Sequence, residues 1–232
     1  MIEFIKSDSR GSADHGWLKA KHTFSFADYH DPKRVRFGPL RVINEDRIAP
    51  AKGFARHPHQ DMEIVTYPIS GAIEHRDSMG NGTVIHAGEV QRMTAGRGVQ
   101  HSEYNASESD ELHLLQIWIF PQQKGLDPGY EQAAFGRSEK LDQLRLIASH
   151  DGRQNSITVH QNVDLYASIL SPGKTLSHSL ANGHKAFVQI VSGSITVNGS
   201  DASAGDGLQI SDEAELSIDG QQEAEFLLFD LG

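Results

Sequence analysis

The chain has 232 residues, 38% hydrophobic and 22% charged, with a formal net charge of −10. It has no cysteine, which excludes disulfides, thiolate nucleophiles and cysteine-held zinc or iron–sulfur centres. No apolar stretch approaches the ~18 residues of a membrane span, and the acidic balance disfavours a nucleic-acid partner.

In chain order, Met1-Ile2-Glu3-Phe4-Ile5-Lys6 lacks the apolar run of a signal peptide, so a cytoplasmic location is expected. The best basic run, Lys33-Arg34-Val35-Arg36, is short, follows Asp28 and Asp31, and reads as a solvated loop. Residues 64–67 read as a strand ending at Ser70-Gly71, and residues 72–76 as another running into the turn-rich Asp77-Ser78-Met79-Gly80-Asn81-Gly82. Residues 112–120 are nearly continuously apolar, which fits a central strand. Residues 121–140 are richer in Pro, Gly, Gln and charge, and the domain connection is expected at 126–140. Residues 130–135 and 138–144 are the only helix or turn candidates. Residues 194–197 run into Asn198-Gly199, a hairpin signal. Many short strands with glycine turns predict an all-β sandwich or barrel.

The second half reads as a degenerate copy of the first. Ile69-Ser70-Gly71-Ala72-Ile73 matches Val191-Ser192-Gly193-Ser194-Ile195, and His86-Ala87-Gly88-Glu89 matches Ser203-Ala204-Gly205-Asp206. Two β-barrels in tandem follow, independently of any other argument.

Two clusters carry the chemistry: His57-Pro58-His59 and His101-Ser102-Glu103. Residues two apart on a strand share a face. If the two strands face each other inside a barrel, His57, His59, His101 and Glu103 converge on one point. That donor set suits a divalent first-row metal. The repeat puts Ser179 and Ala181 opposite His57 and His59, Lys185 opposite Glu63, and Ile218 and Gly220 opposite His101 and Glu103. A single metal site in the first barrel is therefore expected. Chance pairs must be allowed for among 13 histidines. His113, on an apolar strand, reads as a core or supporting imidazole. His15, His22, His30, His75 and His86 read as surface or structural, and His150 and His160 carry no functional expectation. Glu63 shares the inward parity of His59 and competes with Glu103 for the metal.

The run Gly53-Phe54-Ala55-Arg56-His57-Pro58-His59 with Glu63 and Gly71, and the run from Gly88 through Gly96-Arg97-Gly98-Val99-Gln100-His101 to Asn105, resemble the two motifs of the cupin superfamily. His-Pro-His, Met93-Thr94-Ala95-Gly96-Arg97-Gly98 and His-Ser-Glu resemble its pirin family, as does His22-Thr23-Phe24-Ser25-Phe26-Ala27 with Asp31-Pro32. The resemblance spans most of the chain and is densest from 15 to 120. It implies two tandem jelly-roll-like cupin barrels, a bicupin, with the metal site in residues 1–125 and none in residues 141–232. It favours Glu103 as the ligand carboxylate and leaves Glu63 behind it. Iron(II) is the expected ion for three imidazoles and a carboxylate, with manganese, nickel, copper and zinc also acceptable. The reaction implied by the resemblance is 2,3-dioxygenation of flavonols such as quercetin, with O2 as co-substrate and Glu103 as the proton acceptor. The competing expectation is a non-enzymatic, metal-dependent regulatory protein acting through a protein partner. No Gly-x-Ser-x-Gly elbow points to a hydrolase. The chain is expected to act as a monomer.

Overall fold

Segments that alternate buried and exposed residues form strands because their period of two wets one face and covers the other. The structure, a computed structural model of residues 1–232, contains twenty-two strands, one short helix (Arg137–Lys140) and two 3-10 turns. The all-β expectation holds. No helix is long and apolar enough to cross a membrane.

The chain divides into two compact units. One holds Gly11–Ala134 with Ile157–Gln161; the other holds Met1–Arg10, Phe135–Ser156 and Asn162–Gly232. The first ten residues thus belong with the C-terminal part of the chain. They do so because Ile2–Ile5 pairs antiparallel with Gly207–Ile210.

In the first unit a seven-stranded sheet runs in the order Gly129–Ala134, Glu89–Thr94, Glu63–Ser70, Leu112–Ile119, Leu40–Ile48, Leu18–His22, Gly11–Asp14. A four-stranded sheet runs Gly53–His59, Val99–Asn105, Ala72–Asp77, Gly82–His86. Residues from both sheets, including Ile48, Leu112 and Leu114 from the larger and Ile73 and Ile85 from the smaller, meet in a buried cluster. Leu112–Ile119 lies between two neighbours, which explains its unbroken apolar run.

The helix or turn candidate at 130–135 is instead the strand Gly129–Ala134, paired with Glu89–Thr94. Its local preference was weak, and pairing overrides it: Glu131 Oε2 accepts from Arg92 at 2.8 Å and from the Thr158 N–H at 2.9 Å. The candidate at 138–144 shortens to Arg137–Lys140, because Leu141 is already extended.

The second unit repeats the plan. Ile2–Ile5, Gly207–Ile210, Lys185–Ser192, Ala224–Leu231, Val163–Leu170 and Arg145–Ser149 lie side by side, and Thr175–Ser179, Glu215–Gly220, Ser194–Val197 and Ser200–Ser203 form a smaller sheet. Asn198 and Gly199 both have positive φ (45° and 76°), as their two-residue hairpin requires. Strand register corrects the repeat alignment. His178 stands opposite Leu216 as His57 stands opposite His101, and Val197 pairs with Ile218 as His75 pairs with Glu103. The counterpart of His57 is therefore His178, not Ser179. Leu216, Ile218 and Val197, all fully buried, take the places of His101, Glu103 and His75. A β-bulge between His101 and Glu103 and unequal loops displace any ungapped alignment here.

Candidate metal centre

His57 and His59 lie on Gly53–His59, and His101 and Glu103 on Val99–Asn105. These strands are adjacent in the four-stranded sheet rather than opposite walls, which corrects the expected arrangement. His101 pairs with His57 and Val99 with His59. One shared face then gathers three imidazoles, with ring centroids 4.5 Å apart for His57–His101 and 4.8 Å for both His57–His59 and His59–His101. Their ligand atoms all lie within 4.8 Å of one another. Only glycine fits at Gly53, because a Cβ there would overlap the Glu103 carbonyl oxygen across the bulged pair.

The electrostatics favour neutral rings at His59 and His101. His57 Nδ1 donates to the Ala55 carbonyl at 2.7 Å, so its lone pair lies on Nε2. Burial, with a contribution from His57, lowers the His59 pKa to about 4. Burial, followed by the neighbouring His57, His59 and His75, lowers that of His101 to about 2. His101 is 1% exposed, and its Nε2 is buried with no hydrogen-bond partner. A buried polar atom without a partner is costly. A cation bound by the three rings would satisfy it, so the residues present fit a divalent metal.

Glu103 is placed beside this set. With His75 and His101 it forms a second group of mutually close donors that shares His101 with the first. Gln116 Nε2 donates to both carboxylate oxygens, at 3.0 and 2.8 Å, and Thr66 Oγ1 reaches Oε1 at 3.5 Å. Burial raises the Glu103 pKa to about 7, with Gln116 and Thr66 offsetting part of the rise. The cluster opens on a cavity of about 250 Å³ whose walls include Phe26, Phe54, Ile64 and Trp118, with Asn44 and Asp46 as further polar groups.

Glu63 does not point inward. Ile64 lines the cavity, so its strand neighbour faces the other way. The fully buried Glu63 carboxylate instead accepts from Thr94 Oγ1 and His160 Nδ1, both at 3.2 Å. The parity argument failed because it crossed from one sheet to the other through residues 60–62, where Asp61 has a positive φ of 50° and the alternation of a strand does not hold. His113 contacts Glu45 at 2.9 Å and stays outside the cavity. His75 was underrated: it is fully buried, and its Nδ1 lies 3.4 Å from His101 Nδ1. Its shared face with Ile73 was the available signal. Thr66, Gln116 and Trp118 were missed because they lie on strands with no motif of their own, whereas Phe54 and Phe26 lie in motif segments whose aromatic residues carried no reading.

The family model described as Pirin matches residues 4–119, and that described as Quercetinase C-terminal cupin domain matches residues 146–231. The chain belongs to the pirin family. It is 47% identical over 231 residues to an Escherichia coli K12 protein named quercetin 2,3-dioxygenase, a match covering 100% of this chain and 99% of that one. It is 39% identical over 231 residues to a pirin-like protein of Caulobacter vibrioides, covering 99% of each. The crystal structure of the bacterial pirin YhhW from Escherichia coli in complex with nickel(II) superposes with a TM-score of 0.96 at 47% identity, covering 100% of this chain and 99% of that one.

Proposed function

We propose that this pirin-family chain is a metal-dependent dioxygenase that cleaves flavonols such as quercetin, with His57, His59, His101 and Glu103 as metal ligands and Glu103 as the base. The observation that carries the reading is the convergence of three imidazoles and a buried carboxylate on one apolar cavity. The name of the Escherichia coli relative at 47% identity and the nickel(II) complex of the Escherichia coli pirin support it. Iron(II) is the proposed native ion, because a borderline-hard set of three nitrogens and one oxygen suits it.

When bound, the ion supplies Lewis acidity toward substrate oxygens and a redox-capable centre for O2. The protein supplies the rest. Phe26, Phe54, Ile64 and Trp118 offer apolar walls that hold a flat aromatic substrate and exclude water. Glu103 Oε2, whose one protein hydrogen bond comes from Gln116, accepts the proton of the flavonol 3-hydroxyl. Burial raises this carboxyl to about 7 without metal, and a bound cation would pull it down again, so the group stands ionised and able to accept that proton near neutral pH. Gln116, donating to both oxygens, keeps the carboxylate in one orientation.

The test is oxygen uptake with quercetin by protein loaded separately with iron, manganese, nickel, copper or zinc. The expected result is about one O2 consumed per quercetin lost in at least the iron form. If no form consumes oxygen with any flavonol, the enzyme reading gives way to a regulatory protein acting through a partner.

A further inference from the structure

Behind His101 runs a buried polar chain that the proposed chemistry does not use. It begins at Asp77, at the end of strand Ala72–Asp77. The Asp77 carboxylate accepts from the Met79 N–H at 2.9 Å, the Asn81 N–H at 3.0 Å and Asn81 Nδ2 at 2.7 Å. A group engaged by three donors acts as an acceptor, so its 3.2 Å contact with His75 Nε2 is a bond that His75 donates. A neutral imidazole protonated on Nε2 offers a lone pair on Nδ1. Two groups approach that lone pair, Gln91 Nε2 and His101 Nδ1, each at 3.4 Å. A bare His101 Nδ1 would set two lone pairs facing each other at 3.4 Å, so the contact favours a proton on His101 Nδ1, which leaves the lone pair on Nε2. That Nε2 is the buried atom without a protein partner.

The chain is dry and braced. The side chains of His75 and Asp77 are both 0% exposed, so bulk water does not compete for these bonds. The Tyr130 ring packs against His75 with centroids 5.1 Å apart, and Tyr130 is itself tied to Thr83 at 2.5 Å. The second unit offers an internal comparison. Where it has Leu216 in place of His101, it has Val197 in place of His75. The two imidazoles are lost together.

We propose that His75, anchored on Asp77, is a positioning residue that sets the tautomer of His101 and so presents His101 Nε2 to the metal. The inference rests on reading His57, His59 and His101 as a metal centre. The general precedent is that an imidazole ligand is oriented by what its other nitrogen bonds.

Two measurements test it. In metal-free wild-type protein labelled with 15N-histidine, long-range 1H–15N correlation reads the His101 tautomer directly. Protonated Nδ1 with bare Nε2 is expected; a proton on Nε2 would overturn the proposal. Nickel(II) affinity is then measured by competition with a chromophoric chelator for wild type, His75→Leu and His75→Gln. His75→Leu should weaken binding about 10- to 100-fold. His75→Gln should recover most of it, because its carbonyl can accept from His101 while its amide donates to Asp77. Unchanged affinity in His75→Leu contradicts the inference. A glutamine variant as weak as the leucine variant also contradicts it, since His75 would then be a ligand itself. If His75→Leu does not fold, the wild-type tautomer and the glutamine variant decide. A wild type with no nickel(II) affinity strikes at the metal-centre reading, and the tautomer spectrum still judges this one.

Discussion

Glu103 and Glu63 are 3% and 0% exposed, yet their carboxylates face different surroundings. Glu103 meets Gln116 and Thr66 beside the histidines; Glu63 meets Thr94 and His160 on the far side of its strand. Glu103→Gln keeps the size and one oxygen but loses charge and basicity. Flavonol turnover should fall by about 10²–10⁴ and metal content should drop. Glu63→Gln should leave metal content at the wild-type level. Elemental analysis and oxygen uptake on the two variants, side by side, check this, and the reverse order would contradict the assignment. His57, His59, His101 and Glu103 were legible because each pair sits on one strand, where parity holds. Glu63 was not, because the crossing between sheets separates it from His59. The same parity rule, applied from Ile73, would have placed His75 inside.

At the scale of elements, the strands carrying the histidines are hydrogen-bonded neighbours, a pairing of distant segments that residue spacing does not reveal. The second unit illustrates the same limit. His178 and His184 lie on different segments, six residues apart, yet both bond Asp230 on Ala224–Leu231, at 2.9 and 2.7 Å. Burial pushes the Asp230 carboxyl up, but the bonds from His178 and His184 outweigh it and hold the group below the usual carboxylate range. A folded pKa below the unfolded one gives stability that is present above about pH 4 and is lost as pH falls through the folded value. Asp230→Asn should therefore cost about 1–3 kcal/mol near pH 7. The deficit should shrink near about pH 3. Urea unfolding of both proteins at the two pH values measures it, and an equal deficit at both would contradict the clasp.

For the whole molecule, the internal repeat was readable from Gly-centred turns that recur in both halves, and the strand orders bear it out. The exchange of Met1–Arg10 and Ile157–Gln161 between units was not readable, since it depends on long-range pairing. The two units then diverge in their interiors. One carries His75, His101 and Glu103, while the other fills those three positions with Val197, Leu216 and Ile218 in its apolar core and keeps only His178 as the counterpart of His57. Removing the histidines should accordingly spare the fold: His57→Ala, His59→Ala and His101→Ala should each lose metal affinity far more than His113→Ala, with thermal melts of the metal-free proteins showing that all four remain folded. The most direct test of the central claim is a titration of metal-free protein with iron(II), following the initial rate of oxygen uptake with quercetin. The rate should rise linearly and break at about one equivalent per chain. A rate still rising toward two equivalents, or no uptake at any loading, would contradict a single oxygen-consuming metal centre in the first unit.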